Sequence, residues 1–332
     1  MRKELQFMLS NKLNLIIVAL CTFIFTAIIG KIIIPILKKL KVGQSERADG
    51  PRTHLRKQGT PTMGGIMMII SIVVFATIEC IINNNMRAEI LPIALASIGF
   101  GFVGFVDDYK KVVLKNTDGL SPKLKLLGQL IISCTFLIYL LNYGDLGTEI
   151  KVPFTDIVWN LPKWIYVSLM VLVMLGTTNA INLTDGVDGL AGSVSAIIIG
   201  SLSVIAYKYN LIGVSIFGVL VVGTICGFLI YNFHKAKVIM GDTGSILLGG
   251  VVSSMAIYMQ NPLILLIVAI IPIIETLSVI LQVLSGFFRG KLLFKMAPLH
   301  HHFELSGWRE NKVVFVFSAI TLVFAIIGVL VC

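Results

Sequence analysis

The sequence predicts an all-α membrane protein that crosses the bilayer ten times, and three observations lead to this prediction. The chain has 332 residues, of which 56% are hydrophobic and 13% are charged, whereas a soluble domain carries roughly 25% charged residues. Ten apolar runs approach the roughly 20 residues that a helix needs to cross a bilayer. The five cysteines lie in apolar runs or at the C-terminus and form no CxxC pair, which argues against a disulfide framework or a zinc ribbon.

The predicted membrane segments follow one another closely along the chain. Their approximate bounds are 13–37, 64–82, 89–106, 124–142, 163–182, 189–207, 211–231, 242–259, 262–288 and 312–331. The first segment is too long for a signal peptide, and no small-residue cleavage site follows it. The ninth contains Pro272 and Glu275, so we expect it to be tilted or broken. No repeat, low-complexity tract or linker divides the chain, so we interpret residues 1–332 as one domain.

The distribution of basic residues predicts the orientation of these segments. Loops that are rich in Lys and Arg face the cytoplasm. Most of the 27 Lys and Arg residues lie in the loops that follow odd-numbered segments. We therefore expect these loops to be cytoplasmic and both termini to face outward from the cell membrane.

Five unusually polar motifs all fall in the predicted cytoplasmic loops. They are "RTHLRKQGTPTMGG" (52–65), "VDDYKK" (106–111), "NLTDGVDG" (182–189), "MGDTGS" (240–245) and "APLHHHFELSGW" (297–308). Unrelated polar residues would scatter between the two faces of the membrane. We therefore interpret the five motifs as parts of one cytoplasmic active-site cleft.

The acidic motifs have structural and functional interpretations. Asp107 and Asp108 are either a solvated pair neutralised by neighbouring lysines, or a carboxylate pair that faces a bound cation or a protonated substrate group. Asp188 and Asp242 precede predicted helices and could simply be N-caps. However, "NLTDGVDG" offers more side-chain oxygen than a cap needs, which suits Mg²⁺. The glycines in both motifs would let backbone N–H groups approach a phosphate.

The basic and histidine motifs also allow more than one interpretation. The first loop, with Lys57 among its basic residues, would bind either anionic lipid or substrate phosphates. His300, His301 and His302 could form a zinc site or a plain structural turn. Consecutive residues on a helix point about 100° apart, so three in a row cannot chelate one ion there. We favour hydrogen bonding to an anionic substrate.

The motifs "KQGTPTMGG", "VDDYKK", "TTNAINLTDGVDGLAG", "KVIMGDTGS" and "MAPLHHHFELSGW" resemble those of the phospho-N-acetylmuramoyl-pentapeptide transferase family. This family lies within the polyprenyl-phosphate N-acetylhexosamine-1-phosphate transferases, and the match runs nearly end to end. The resemblance implies transfer of phospho-MurNAc-pentapeptide from UDP-MurNAc-pentapeptide to undecaprenyl phosphate, giving lipid I and UMP. It also implies Mg²⁺ as cofactor and a ten-helix homodimer in membrane lipid, with no nucleic acid partner.

The resemblance also implies roles for individual residues, by their positions in the motifs. Asp242 matches the main magnesium ligand and Asn182 a second one. The implied catalytic residues are Asp107, Asp108, Asp242 and His301. The implied substrate-binding residues are Lys57, Thr62, Lys111, Lys123, Asn182, Asp185, Asp188, Asn232, Gln282, His300, His301 and His302. One position departs from the family pattern, because Ile239 stands where many members have a Phe that can stack on uracil.

Two other functions and a second mechanism stay open from the sequence. A ten-helix protein could be a transporter, but transporters keep ionisable groups near the bilayer midplane, where only Glu275 is expected. The same chemistry with UDP-N-acetylglucosamine is the second alternative. In the transfer itself, the lipid phosphate would attack directly, with Asp107 taking its proton, or an aspartate would form a covalent intermediate.

Overall fold

The computed structural model describes residues 2–39, 59–114, 119–144 and 146–332, with side chains described from residue 13 onward. The basic residues of the first loop, including Lys57, lie outside the described residues. The helices are α1 (Arg2–Lys39), α2 (Gly65–Ile82), α3 (Arg87–Val112), α4 (Pro122–Tyr143), α5 (Lys163–Thr184), α6 (Leu190–Lys208), α7 (Ile212–Asn232), α8 (Gly241–Tyr258), α9 (Leu265–Val268), α10 (Ile270–Arg289), α11 (Leu299–Glu304) and α12 (Glu310–Val331). Strands β1 (Glu149–Lys151) and β2 (Val158–Asn160) form an antiparallel hairpin between α4 and α5.

The prediction of a helical, multi-pass membrane protein is confirmed. Within the described part of the chain, nine helices are long and apolar enough to cross a membrane, namely α1 to α7, α10 and α12. The expected eighth segment corresponds to α8, which has 18 residues, as does α2. Helix α8 is less apolar than α2 because it begins with Gly-Asp-Thr-Gly-Ser. The count of ten spans and the outward termini stay predictions.

Helix α8 is the centre of the bundle. Each of its residues from Thr243 to Tyr258 is buried, and it packs mainly against α3 and α5. Gly104 allows the backbone of α3 to lie directly against that of α8, because an added Cβ there would overlap the backbone carbonyl of Asp242. Small residues at such crossings let helix backbones come close together. This packing brings the end of α3 to the start of α8.

The ninth predicted segment is broken, as its proline suggested. A 3-10 turn (Pro262–Ile264) and the short α9 precede α10, and the break falls at Ala269. Pro272 has no N–H to donate to the carbonyl four residues earlier, and its ring crowds that carbonyl. The helix therefore restarts just before the proline, which occupies the first turn of α10, where the missing N–H costs little.

Candidate active site

A cluster of polar side chains lies where the ends of α3 and α5 meet the starts of α4 and α8. Asp107 and Asp108 come from the end of α3 and Asp242 from the first turn of α8. One carboxylate oxygen from each of the three lies within 4.8 Å of the others. Like charges at this distance repel strongly, so the cluster requires nearby positive charge or donors.

The two aspartates of α3 lie inside the helix rather than beyond its end. The sequence predicted an end near residue 106, but α3 continues to Val112. Asp107 and Asp108 are 2% and 4% exposed, which rules out the interpretation of a solvated pair.

Asp108 caps the start of α8 from outside that helix. Its Oδ2 accepts the backbone N–H of Thr243 at 2.9 Å and the Thr243 hydroxyl at 2.6 Å. Its Oδ1 accepts the backbone N–H of Asp242 at 3.2 Å. Both oxygens thus satisfy donors that a helix N-terminus leaves unpaired. Asp108 therefore holds Asp242 in place.

Asp107 points instead toward a lysine that it shares with Asp242. Lys111 Nζ lies 2.5 Å from Asp107 Oδ2 and 3.0 Å from Asp242 Oδ2. The other oxygen of Asp107 accepts the backbone N–H of Leu120 at 2.6 Å. A positively charged group therefore bridges the buried carboxylate of Asp107 and the partly buried carboxylate of Asp242, which belong to different helices.

Asp242 collects donors from three other helices. Its Oδ1 accepts the amide N–H of Asn182 at 2.7 Å. Its Oδ2 accepts from Lys111 at 3.0 Å and from Lys125 of α4 at 2.9 Å. The Asn182 amide also donates to the Ser245 hydroxyl at 2.8 Å. The carboxylate is thereby held ionised and fixed in orientation.

Sequence reasoning missed Lys125 and named Lys123 instead. Lys123 is on the exposed side of α4, whereas Lys125 turns inward to Asp242. Lys125, Gln129 and Ser133 follow one another at intervals of four residues along α4, and the last two are fully buried. Residues at this spacing share one helix face, so the polar stripe was a signal that could have identified Lys125.

The donor set of the cluster fits a magnesium ion. Mg²⁺ prefers oxygen ligands and takes one or two carboxylates besides phosphate and water. Asp107 Oδ2 and Asp242 Oδ2 already share one cationic group, the Lys111 ammonium. Asn182 Oδ1 lies 3.5 Å from the Lys125 ammonium. Asp242, Asp107 and Asn182 are the residues that could hold the ion.

The "TPTMGG" motif closes one side of the cluster. The backbone N–H groups of Gly64 and Gly65 donate to the carbonyls of Ile239 and Met240 at 2.9 and 3.0 Å. Thr62 is buried next to Gly241, where an added Cβ would lie 2.9 Å from its hydroxyl. Gly241 has φ +72°, a conformation that favours glycine. The two motifs thus form one unit.

Asn232 and Asp188 form a second polar group between the loops after α5 and α7. Asn232 Oδ1 accepts the backbone N–H of Gly189 at 3.0 Å, and Asp188 Oδ2 accepts that of Ala236 at 3.0 Å. His234 Nδ1 lies 3.9 Å from Asp188 and 3.6 Å from Glu310 of α12. Sequence reasoning did not single out His234 or Glu310, which become neighbours only through the fold.

The three histidines occupy α11 and face in different directions. His300 is fully buried, and its Nδ1 lies 3.2 Å from Glu275 Oε1. His301 Nδ1 lies 2.9 Å from Glu304 Oε2, whereas His302 Nδ1 accepts the backbone N–H of Lys295 at 3.2 Å. These separate partners show that the three side chains are not arranged around one common ion.

The remaining predicted residues are less closely tied to the cluster. Gln282 of α10 binds a neighbouring loop, accepting the backbone N–H groups of Leu293 and Phe294 at 3.0 and 2.9 Å. Asp185 directly follows α5 and is partly buried. Ile239 is also partly buried, beside the "TPTMGG" motif. The roles predicted for these side chains toward a substrate stay predictions.

Comparison with known proteins gives consistent matches over almost the whole chain. The model of glycosyl transferase family 4 matches residues 90–260, a range that includes the cluster from Asp107 to Asp242. A phospho-N-acetylmuramoyl-pentapeptide-transferase of Halalkalibacterium halodurans is 44% identical over 95% of this chain and 96% of its own length. The enzyme of the same name from Bacillus subtilis is 44% identical over 92% and 94%. That of Shouchella clausii is 45% identical over 95% and 97%.

Proposed function

The chain belongs to the phospho-N-acetylmuramoyl-pentapeptide-transferase family, and on this premise we propose its reaction. It transfers phospho-MurNAc-pentapeptide from UDP-MurNAc-pentapeptide to undecaprenyl phosphate, giving lipid I and UMP in peptidoglycan synthesis. It acts as a single domain of residues 1–332 in the cell membrane. Helix α8 also spans the membrane, which brings the number of spans to ten, and both termini lie outside. The polar cluster faces the cytoplasm, and two copies form a homodimer.

One observation carries this proposal. Three carboxylates and two lysines, from three helices, surround a single point at one end of the bundle. Two phosphorylated substrates repel each other when they meet, so their reaction needs positive charge that is already in place. Asp242 holds Lys111 and Lys125 in place, and together with the Mg²⁺ that the cluster would bind, the two ammonium groups would supply this charge.

The transfer makes one bond and breaks one bond. An oxygen of undecaprenyl phosphate attacks the phosphorus that bears the sugar, and the bond between that phosphorus and the bridging oxygen of the UDP diphosphate breaks. The bridging oxygen leaves with UMP, and lipid I carries a new diphosphate formed from the lipid phosphate and the transferred phosphate. At neutral pH the lipid phosphate is already largely ionised, since its second pKa is about 6.

Each residue of the cluster has a defined task in this proposal. Lys111 and Lys125 bind the phosphates of the two substrates, and Asp107 orients the attacking phosphate or accepts its remaining proton. Asp242 and Asn182 would hold Mg²⁺, and the bound ion would neutralise charge on the diphosphate and on the leaving UMP. Asp108 keeps Asp242 in position. Thr62 lines the side of the cluster that the "TPTMGG" motif closes.

The nucleotide and the sugar lie on the flanking groups. Asp185, Asp188 and Asn232 position the nucleotide, and Ile239 packs on uracil where an aromatic ring would stack. Lys57, Lys123, Gln282 and the three histidines act at the rim of the cleft, toward phosphate, sugar and peptide. These assignments follow the motif positions and rest on the family premise.

The direct test is an assay of purified protein with undecaprenyl phosphate and each of two donors. We expect UMP release and a lipid-linked product with UDP-MurNAc-pentapeptide, and neither with UDP-N-acetylglucosamine. Removal of Mg²⁺ with a chelator should abolish the reaction, and added Mg²⁺ should restore it. If the protein used UDP-N-acetylglucosamine and not UDP-MurNAc-pentapeptide, it would be an N-acetylglucosamine-1-phosphate transferase.

A single-turnover experiment separates the direct reaction from a covalent route. In direct attack, enzyme given UDP-MurNAc-pentapeptide without lipid releases no UMP. An aspartyl intermediate would instead release a burst of about one UMP per active site and leave a phospho-sugar adduct on the protein. An adduct mapped to Asp107, Asp108 or Asp242 would overturn direct attack and leave the overall reaction standing.

A further inference from the structure

Glu275 is a buried carboxylate in the second turn of a helix that is long and apolar enough to cross the membrane. It lies in α10, and both it and its partner His300 are 0% exposed. An ionisable side chain at such depth is costly and is usually paired with another group. The active-site cluster described above does not include Glu275, so its presence needs a separate explanation.

The Glu275 carboxylate organises the beginning of α11. Its Oε1 accepts the backbone N–H of His300 at 3.2 Å and lies 3.2 Å from Nδ1 of the same residue. An ionised carboxylate can only accept hydrogen bonds. The hydrogen of a neutral His300 ring therefore sits on Nδ1, and Nε2 is the unprotonated nitrogen.

The other edge of the His300 ring presses against the loop after α5. An added Cβ on Gly186 would overlap His300 Nε2 and lie 2.7 Å from Cε1. Gly186 is not among the glycines with positive φ, so the ring alone requires glycine here. His300 Nε2 is buried and has no hydrogen-bond partner among the described residues. The ring thus serves as a support for this loop.

The same ring also supports the next histidine. The centroids of the His300 and His301 rings are 4.1 Å apart, and His301 lies 2.9 Å from Glu304. A contiguous series of contacts therefore runs from α10 through His300 to two parts of the proposed cleft. One part is the Asn182–Asp188 loop region, and the other is His301.

We propose that Glu275 is a positioning residue of the transferase. It acts through His300, whose orientation fixes the loop around Gly186 and the place of His301. This role rests on the proposed function, because its purpose is to align groups that contact the substrate. A misplacement of about 1 Å can cost roughly 100-fold in rate, so we expect a large effect from a side chain that touches no substrate.

The first readout does not depend on activity. The chain has five histidines, so ¹⁵N-histidine labelling gives a simple NMR spectrum, in which a His300→Gln variant assigns the His300 signals. We expect one fixed tautomer with hydrogen on Nδ1 in the wild-type protein and in Glu275→Gln, which keeps an acceptor oxygen. Glu275→Ala should give averaged tautomers. A fixed, unchanged tautomer in Glu275→Ala would overturn the proposal.

The second readout is kinetic. Glu275→Ala should lower kcat/KM for the UDP-sugar about 100-fold, whereas Glu275→Gln should recover most of it. Glu79→Ala is the matched control, since Glu79 is also a buried glutamate, 5% exposed and bonded to Asn83 at 2.8 Å. We expect it to retain wild-type kcat/KM. Equal losses in both alanine variants, or no rescue by Gln, would contradict a specific positioning role.

A double-mutant cycle tests whether the effect passes through His300. Gly186→Ala displaces the ring from the other side, so it should lower kcat/KM by itself. Combined with Glu275→Ala it should add little, because both changes break the same support. Additive losses would overturn the link. If Glu275→Ala does not fold, the Gly186→Ala variant tests the proposal by itself. An unchanged His300 NMR spectrum together with an unchanged kcat/KM in that variant would overturn the proposal.

A wild-type protein without transferase activity would refute the proposed function. The NMR experiment would still show whether Glu275 fixes the His300 ring.

Discussion

The two ends of α3 use acidic side chains in similar ways, yet only one of them gathers a candidate active site. Near the start of the helix, Glu89 accepts the backbone N–H of Val214, the third residue of α7, at 3.1 Å. Near its end, Asp108 accepts the backbone N–H of Thr243, the third residue of α8, at 2.9 Å. Both carboxylates therefore cap a neighbouring helix.

The difference lies in what surrounds each cap. The carboxylates of Asp107 and Asp242 lie beside that of Asp108. Lys111 bridges Asp107 and Asp242, and Lys125 contacts Asp242. The described contacts of the Glu89 carboxylate are the backbone at the start of α7. A buried carboxylate alone thus indicates packing and capping, whereas convergent carboxylates bridged by lysines indicate chemistry.

Asp242→Asn should give the largest loss of activity. The amide has nearly the shape of the carboxylate but lacks the charge that fixes two lysines and could hold Mg²⁺. Loss of one such electrostatic group typically costs about 10²–10³-fold in kcat, and we expect a loss at least this large in UMP release. Asp156→Asn, an exposed aspartate between the hairpin strands, is the control and should be fully active. Wild-type turnover by Asp242→Asn would remove this residue from the site.

Lys125→Met should follow, with a loss of about 10²-fold in kcat. The matched control is Lys123→Met, two residues earlier on the exposed side of the same helix. Because, of these two lysines, only Lys125 reaches Asp242, at 2.9 Å, the Lys123 variant, which is altered only at the rim of the cleft, should lose much less activity. Steady-state rates of the two variants decide between the structural assignment and the motif-based one. A larger loss in Lys123→Met than in Lys125→Met would favour the motif-based assignment.

Asp108→Asn should affect stability as well as rate. The amide offers one accepting oxygen where the carboxylate uses two, so a buried donor at the start of α8 loses its partner. Such a loss costs about 1–3 kcal/mol, which a lowered Tm in detergent would report. Unchanged Tm together with abolished activity would instead assign Asp108 a direct role toward the substrate.

Glu89→Gln should have the smallest effect, on stability alone. Its amide oxygen can still accept from Val214, so we expect a loss of about 1 kcal/mol or less in stability and no change in kcat or KM. Tm and UMP release measured on the same preparation test this. Reduced turnover at unchanged Tm would break the contrast between the two ends of α3.

The sequence predicted the helical membrane fold, because apolar runs of spanning length are a local property of the chain. The motifs also indicated which loops carry the polar residues. Lys125 was missed because the polar stripe on α4 was not recognised, and the partner of that stripe depends on how α4 packs against α3 and α5. The burial of His300 against Glu275 and Gly186 was likewise invisible, since these residues belong to three separate elements. Spacing along one helix can be read from sequence, but contacts between helices require the fold.

Substrate-dependent hydrogen exchange tests the central claim most directly. UDP-MurNAc-pentapeptide with Mg²⁺ should slow exchange of backbone amides in residues 119–125 and 239–245, which adjoin Asp107, Lys125 and Asp242. Residues 83–89 and 209–214, around the start of α3 and the cap of α7, should exchange as in the free protein. The account predicts protection confined to the Asp242 end. Protection at the Glu89 end, with none around Asp242, would contradict it.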